Sequence, residues 1–155
     1  MPANAPWLHI RPAVTDDVII LHDLYTRHLA SRPQEQPQDL SLWSKLLGEL
    51  IERPDFHILI GETEKHIIGT VTLTLVPNLT HNLKPYAVIE NLVTHRDFRN
   101  MGYATMLVRK ACRMAKEHDC YKIMLMTGSR KDAERRFYKR CGFKSSEKGA
   151  FLKYF

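Results

Sequence analysis

Along the chain, apolar positions recur now at a period of two and now at a period near 3.6, and each switch marks an element. LHIRPA (8–13) predicts a short strand. In TDDVIILHDLYTRHLA (15–30), Val18, Leu21, Leu24, Tyr25 and Leu29 share one helical face, with Thr15 or Asp16 as the cap. SRPQEQPQD (31–39) is polar, holds two prolines and breaks the pattern, and LSLWSKLLGELIE (40–52) predicts a second helix that ends before Pro54. FHILIGE (56–62) and HIIGTVTLTLV (66–76) are β-branched and apolar, joined by TEK into an antiparallel hairpin. PNLTHNLKP (77–85) is a connection and YAVIENLVTH (86–95) another strand. From Gly102 to about His118 a helix buries Ala104, Leu107, Val108, Ala111 and Ala115. YKIMLMT (121–127) is nearly all apolar, as in a central strand covered on both faces. Ala133, Phe137 and Cys141 recur at i, i+4 up to Gly142, which is placed to end a helix opened by Ser129 and Asp132. GAFLKYF (149–155) predicts a last strand, with a short extra one at 143–146. The order is βααβββαβαβ, and strand, helix, strand over 86–127 requires a parallel pair with a right-handed crossover. The fold class is α/β, a mixed central sheet with helices on both faces.

A length of 155 residues fits one domain, 1–155, and 44% hydrophobic with 26% charged residues is an ordinary globular composition. The opening MPANAPWLHIRP has no basic stretch leading into an apolar one. No apolar run approaches the roughly 18 residues of a membrane span, so the expectation is a cytoplasmic protein without a membrane partner. Cys112, Cys120 and Cys141 are odd in number and include no CxxC pair, which argues against a disulfide framework and against a zinc site; no metal is expected. Charge changes the picture more. Residues 86–155 carry 16 lysines and arginines against 7 acidic residues, whereas residues 1–85 carry 7 against 10. The basic half calls for an anionic partner, and charge alone does not choose between nucleic acid, an acidic surface and a phosphorylated cofactor.

A more specific anion site lies in RDFRNMGYAT (96–105). The chain leaves a strand, turns and enters a helix, so the backbone N–H groups of about Asn100 to Thr105 have no intrahelical acceptor. Gly102 lets an anion approach the backbone, Ala104 avoids crowding at the helix start, and Arg99 adds a guanidinium. Two linked phosphates suit such a cradle.

Arg99-x-x-Gly102-x-Ala104 resembles the Q/R-x-x-G-x-G/A motif of the GNAT superfamily of acetyl-CoA-dependent N-acetyltransferases. ERRFYKRCGF resembles that family's second signature, carried here by Phe137, Tyr138, Gly142 and Phe143. The resemblance covers essentially the whole chain. It implies the GNAT-type sheet, acetyl-CoA as cosubstrate, and a pantetheine arm paired to the backbone of Leu92, Val93 and Thr94. It also implies a pyrophosphate on Arg99, Asn100, Met101, Gly102, Tyr103, Ala104 and Thr105, with Ser129, Arg130, Lys131 and Arg135 near the phosphates. Lys131 and Glu134 depart from the asparagine and alanine common in the family, which leaves Ser129 to replace the asparagine contact. Asn100 stands where many members have glycine.

An acceptor amine is protonated near neutrality and attacks only as the free base, so a base must take its proton. The resemblance gives that task to Glu90, as base or as the group that binds the amine's charge, and gives Tyr138 the proton for the departing thiolate. Val93 or Thr94 N–H can polarise the thioester carbonyl. Transfer is then direct, in a ternary complex, to a primary amine of a small molecule. A protein or peptide N-acetyltransferase and a non-catalytic acyl-CoA sensor are the alternatives. The first two helices, the 31–39 loop and the 77–85 connection are expected to hold the acceptor. Nucleic acid is disfavoured because the basic residues lie behind the cradle without interleaved exposed aromatics. GAFLKYF could pair across a homodimer.

Overall fold

The computed structural model describes residues 7–29, 39–127, 132–144 and 151–155. Five strands form one sheet in the order β1 (His9–Pro12), β2 (Phe56–Glu62), β3 (Ile67–Val76), β4 (Tyr86–Thr94) and β5 (Ile123–Leu125). Neighbours are antiparallel except β4 and β5, which run parallel across the crossover helix α3 (Tyr103–Glu117). α1 (Val18–Asp23), α2 (Leu40–Ile51) and α4 (Asp132–Arg140) complete the mixed α/β fold expected from the sequence.

Alternation along β3 divides the core. Val71, Leu73 and Leu75 join Ala87, Ile89 and the α3 residues Leu107, Val108, Ala111 and Ala115 on one face. On the other, Ala13, Leu21, Leu47, Ile58 and Ile60 cluster under α1 and α2. Thr70 and Thr72 also lie on that second face, paired with Ile60 and Ile58 and fully covered. β3 is therefore the central strand.

Three elements differ from the sequence reading. The stretch 121–127 is only a three-residue strand at the sheet edge, with Met124 and Met126 exposed; its apolar character reflects half-covered positions there rather than a buried centre. Residues 151–155 form no strand, and Phe151, Leu152, Tyr154 and Phe155 are exposed, because strand propensity without a pairing partner does not make a strand. The expected strand at 143–146 is likewise absent at 143–144, and its remainder lies outside the described residues, as do 149–150 and Ser129 of the helix cap.

The first helix is also built differently. Asp17, not Thr15 or Asp16, takes the Val14 N–H, at 2.8 Å, and it is held by Arg11 at 2.7 and 2.9 Å. After Asp23 the helix widens into a π-helical turn, Leu24–Leu29, where the Thr26 hydroxyl donates back to His22 O at 2.7 Å. The widening turns His28 and Leu29 toward the C-terminal end of β4.

Candidate functional site

β4 carries the irregularity that opens the site. Glu90 pairs with Thr72 and Val93 with Thr70, so Asn91 and Leu92 together oppose Val71, and Asn91 has φ 51°. This is a bulge of one extra residue. The partnership with β5 stops at Ile89 and Leu125, which leaves the rest of β4 with a free edge among the described residues. A groove of about 1690 Å³ opens there. It exceeds the roughly 300–1000 Å³ of an ordinary small-ligand pocket.

Of the residues singled out in the sequence, the groove wall includes Glu90, Leu92, Val93, Thr94, Arg99, Asn100, Gly102, Tyr103, Ala104, Thr105 and Tyr138. Met101 is exposed and lies off the wall. Ser129, Arg130 and Lys131 lie outside the described residues. Arg135 is exposed on α4 and lies off the wall, and neither α2 nor the 77–85 connection reaches the groove. The connection sits at the opposite end of β4, tied to the α3–β5 turn by Lys84 Nζ to Asp119 at 2.8 Å and by Tyr121 N–H to Pro85 O at 3.0 Å.

At the cradle, Asn100 and Gly102 both take left-handed backbone, at φ 63° and 87°, which asparagine tolerates and glycine adopts without strain. The first bond of α3 is Met106 N–H to Gly102 O, so the preceding N–H groups have no helical acceptor. A Cβ on Gly102 would meet nothing within 4 Å, so what the position demands of glycine is its backbone conformation rather than room. The residues therefore fit a diphosphate. The Tyr103 ring is buried against Leu8 and Ile68, so it serves the core and only its backbone serves the cradle.

Arg99 is placed differently from the expectation. Its Nε donates to Thr94 O at 3.2 Å and its Nη2 to His28 O at 2.8 Å, so part of the guanidinium faces the end of the π-helical turn. Arg96 does the same, with Nη2 on Arg27 O at 3.1 Å, while its backbone N–H donates to His28 Nδ1 at 3.1 Å. His28 Nε2 lies 3.4 Å from Asp23, and the ring sits 4.1 Å from that of His95. Asp23, His28 and His95 are close enough to suggest a metal centre. The tautomer argues otherwise: with Nδ1 accepting an N–H, the ring proton sits on Nε2 and points to Asp23, leaving no lone pair for a cation. Burial first, and then the neighbouring His95, lowers the His28 pKa.

The two groups with an expected role in proton transfer both face the groove. Glu90 is exposed on the strand face shared with Thr72. Tyr138, on α4, is half-buried between Phe137 and Phe143; burial, then Glu134 and Cys141, push its phenol up to about 12. α4 ends at Gly142, φ 94°, where Gly142 N–H to Lys139 O and Phe143 N–H to Tyr138 O close the last turn, as the sequence reading expected. Sequence reasoning placed the first predicted helix, 15–30, on the acceptor side but named neither His28 nor Leu29 in the wall, for which the chain carries no local signal. It also assigned no place in the groove to Glu134, which accepts from the Thr127 hydroxyl; its position four residues before Tyr138 was the available clue.

The model of the acetyltransferase (GNAT) family matches residues 19–143. Glucosamine 6-phosphate N-acetyltransferase of Trypanosoma brucei brucei is 26% identical over 132 residues, 73% of this chain and 88% of that protein. A solved structure from Agrobacterium tumefaciens str. C58, provisionally classed as an acetyltransferase, superposes with a TM-score of 0.83 at 33% identity, covering 94% of this chain and 99% of that one. Glucosamine-6-phosphate N-acetyltransferase from Arabidopsis thaliana shares the fold, with a TM-score of 0.78 at 20% identity over 97% of this chain and 99% of its own.

Proposed function

This chain belongs to the GNAT acetyltransferase family, and from that premise we propose that it moves the acetyl group of acetyl-CoA directly onto a primary amine of a small molecule. The observation that carries the reading is the groove itself: an open β4 edge, an N–H cradle at one end, and a carboxylate and a phenol on its walls.

Acetyl-CoA, when bound, supplies the acetyl group as a reactive thioester. The backbone of Leu92, Val93 and Thr94 offers strand-like hydrogen bonds to the pantetheine arm, and the N–H groups from about Asn100 to Thr105 hold the pyrophosphate. Glu90, open to solvent on the α1 side of the sheet, binds the acceptor ammonium and draws off its proton through water. Tyr138 holds its proton at Oη throughout the working range, because burial disfavours the phenolate, and delivers it to the leaving sulfur. Val93 or Thr94 N–H polarises the carbonyl under attack. Positioning of the two substrates in one groove supplies much of the rate.

We take the acceptor to be an amino sugar first, by analogy with the trypanosomal glucosamine 6-phosphate N-acetyltransferase, and assign the basic half of the chain to CoA phosphates rather than to nucleic acid. We take residues 1–155 as one domain. The exposed apolar residues at 151–155 support pairing with a second copy.

The test is CoA release by the full chain with a panel of amines (glucosamine 6-phosphate, other amino sugars, amino acids, polyamines and peptides), alongside acetyl-CoA titration by calorimetry. Turnover with one small amine, strongly reduced in Glu90→Gln and Tyr138→Phe, supports the proposal. Acetyl-CoA binding without turnover on any amine points to a sensor, and turnover on peptides alone moves the acceptor class. Failure to bind acetyl-CoA ends the reading.

A further inference from the structure

Hydrogen bonds from Arg96 and Arg99 to Arg27 and His28 join the cradle turn to the π-helical turn. Arg96 and Arg99 cap the last carbonyls of the 24–29 turn, those of Arg27 and His28, at 3.1 and 2.8 Å. The His28 ring closes the connection from the other side, taking the Arg96 N–H on Nδ1 and directing Nε2 to Asp23 on α1. Its side chain is only 5% exposed although the surrounding bonds are near the surface, so it is the wedge that excludes water from the junction.

We propose that His28 is a positioning residue that couples the CoA cradle to the acceptor-side wall of the groove through the Nδ1 to Arg96 N–H bond. The inference rests on the assignment of the cradle to CoA made above. In the free protein the Arg96 and Arg99 guanidinium groups reach adjacent carbonyls of one junction while Arg27 pairs with Asp23, and the repulsion between Arg96 and Arg99 opposes its closure. A diphosphate in the cradle offsets that repulsion and fixes the turn from which both arginines reach. The ligand thus favours the closed junction, and with it the placement of His28 and Leu29 on the wall. Linkage makes the effect reciprocal: whatever loosens the junction weakens CoA binding by the same factor.

Hydrogen–deuterium exchange of residues 24–29, measured on the full chain with and without saturating CoA, tests this. CoA should slow exchange there by about fivefold or more, the lower end of ordinary allosteric coupling. His28→Asn keeps an acceptor oxygen where Nδ1 stands and should retain the effect. His28→Gln keeps a donor toward Asp23 but loses the acceptor; it should lose the CoA response and bind CoA more weakly by a similar factor. A purely structural role for His28 predicts no such split between the two variants. Wild-type exchange at 24–29 that ignores CoA overturns the proposal whatever the variants do, and so does a His28→Gln protein that still responds. Calorimetry separates the two levels: absence of CoA binding removes the functional reading, whereas CoA binding without protection of 24–29 removes only the coupling.

Discussion

Gly69 offers the sharpest test of how the groove is held open. It lies in β3 opposite Thr94, and a Cβ built there would stand 2.4 Å from Val93 O and 3.2 Å from Thr94 Cα. Both are backbone atoms, so no side chain can swing aside. Reaching even 3.0 Å requires β3 and β4 to separate by at least 0.6 Å just beyond the bulge. Overpacking of this kind costs about 1–3 kcal/mol, and for a chain of this size about 2 kcal/mol lowers Tm by roughly 4–8 °C. The strain falls on Val93, whose backbone is assigned to the cosubstrate, so Gly69→Ala should also weaken acetyl-CoA binding. Gly61, directly across the β2–β3 pair, is the control: a Cβ there meets only the Leu8 and Leu107 side-chain ends at 3.2 Å, which can yield. Gly61→Ala should therefore cost under about 1 kcal/mol and leave affinity within about twofold. Thermal denaturation and calorimetric titration of the two variants side by side decide it. Equal Tm values for the two, with acetyl-CoA affinity unchanged in Gly69→Ala, would refute the claim that this close approach sets the position of Val93.

Asp17→Asn should cost about 2 kcal/mol at pH 7, because the 5% exposed carboxylate accepts from Arg11 and from the Val14 N–H. Burial pushes the Asp17 pKa up, but those bonds outweigh it and hold it below the usual value. A depressed folded pKa gives stability that is full above the unfolded pKa of about 4, so urea midpoints of wild type and variant should converge as pH falls below it. Tyr138→Phe should lower kcat about 10²-fold with acetyl-CoA affinity nearly unchanged. With the phenol near 12, the wild-type pH–rate profile should show no descending limb from Tyr138 below about pH 11; one near 10 that vanishes in the variant would contradict the assignment. For Glu90→Gln, kcat/KM at pH 7 should fall about 10²-fold and recover toward wild type as pH approaches the amine's own pKa of about 10. A deficit independent of pH would leave Glu90 as a binding group only.

Much of this site was legible because its signals are local. Gly102 and Gly142 mark backbone conformations that few other residues adopt, and the periodicity of α3 and of the β2–β3 hairpin survives in the structure within a residue of each expected end. What escaped is what depends on partners far along the chain. The side chain of Arg99 divides its bonds between Thr94 and His28, 71 residues away from the latter, and no spacing announces that. The 121–127 stretch was misplaced at the sheet centre because its apolar run does not distinguish a buried strand from an edge strand half-covered by a neighbouring helix. At 151–155 the β-forming residues are present, and no strand among the described residues pairs with them.

The extra residue in β4 acts as a change of phase. Upstream of it, even-numbered side chains, Val88 and Glu90, share the α1 face with Thr74 and Thr72; downstream, odd-numbered Val93 shares that face with Thr70. Pairing β4 against β3 without the bulge, with Asn91 kept in line, would therefore shift the register by one and invert everything after Glu90. Val93 and Leu92 would exchange sides, the fit against Gly69 would be lost, and the cradle turn would leave the sheet facing the wrong way. Chain parity at this point, more than the identity of any one side chain near it, fixes which side of the sheet the groove belongs to.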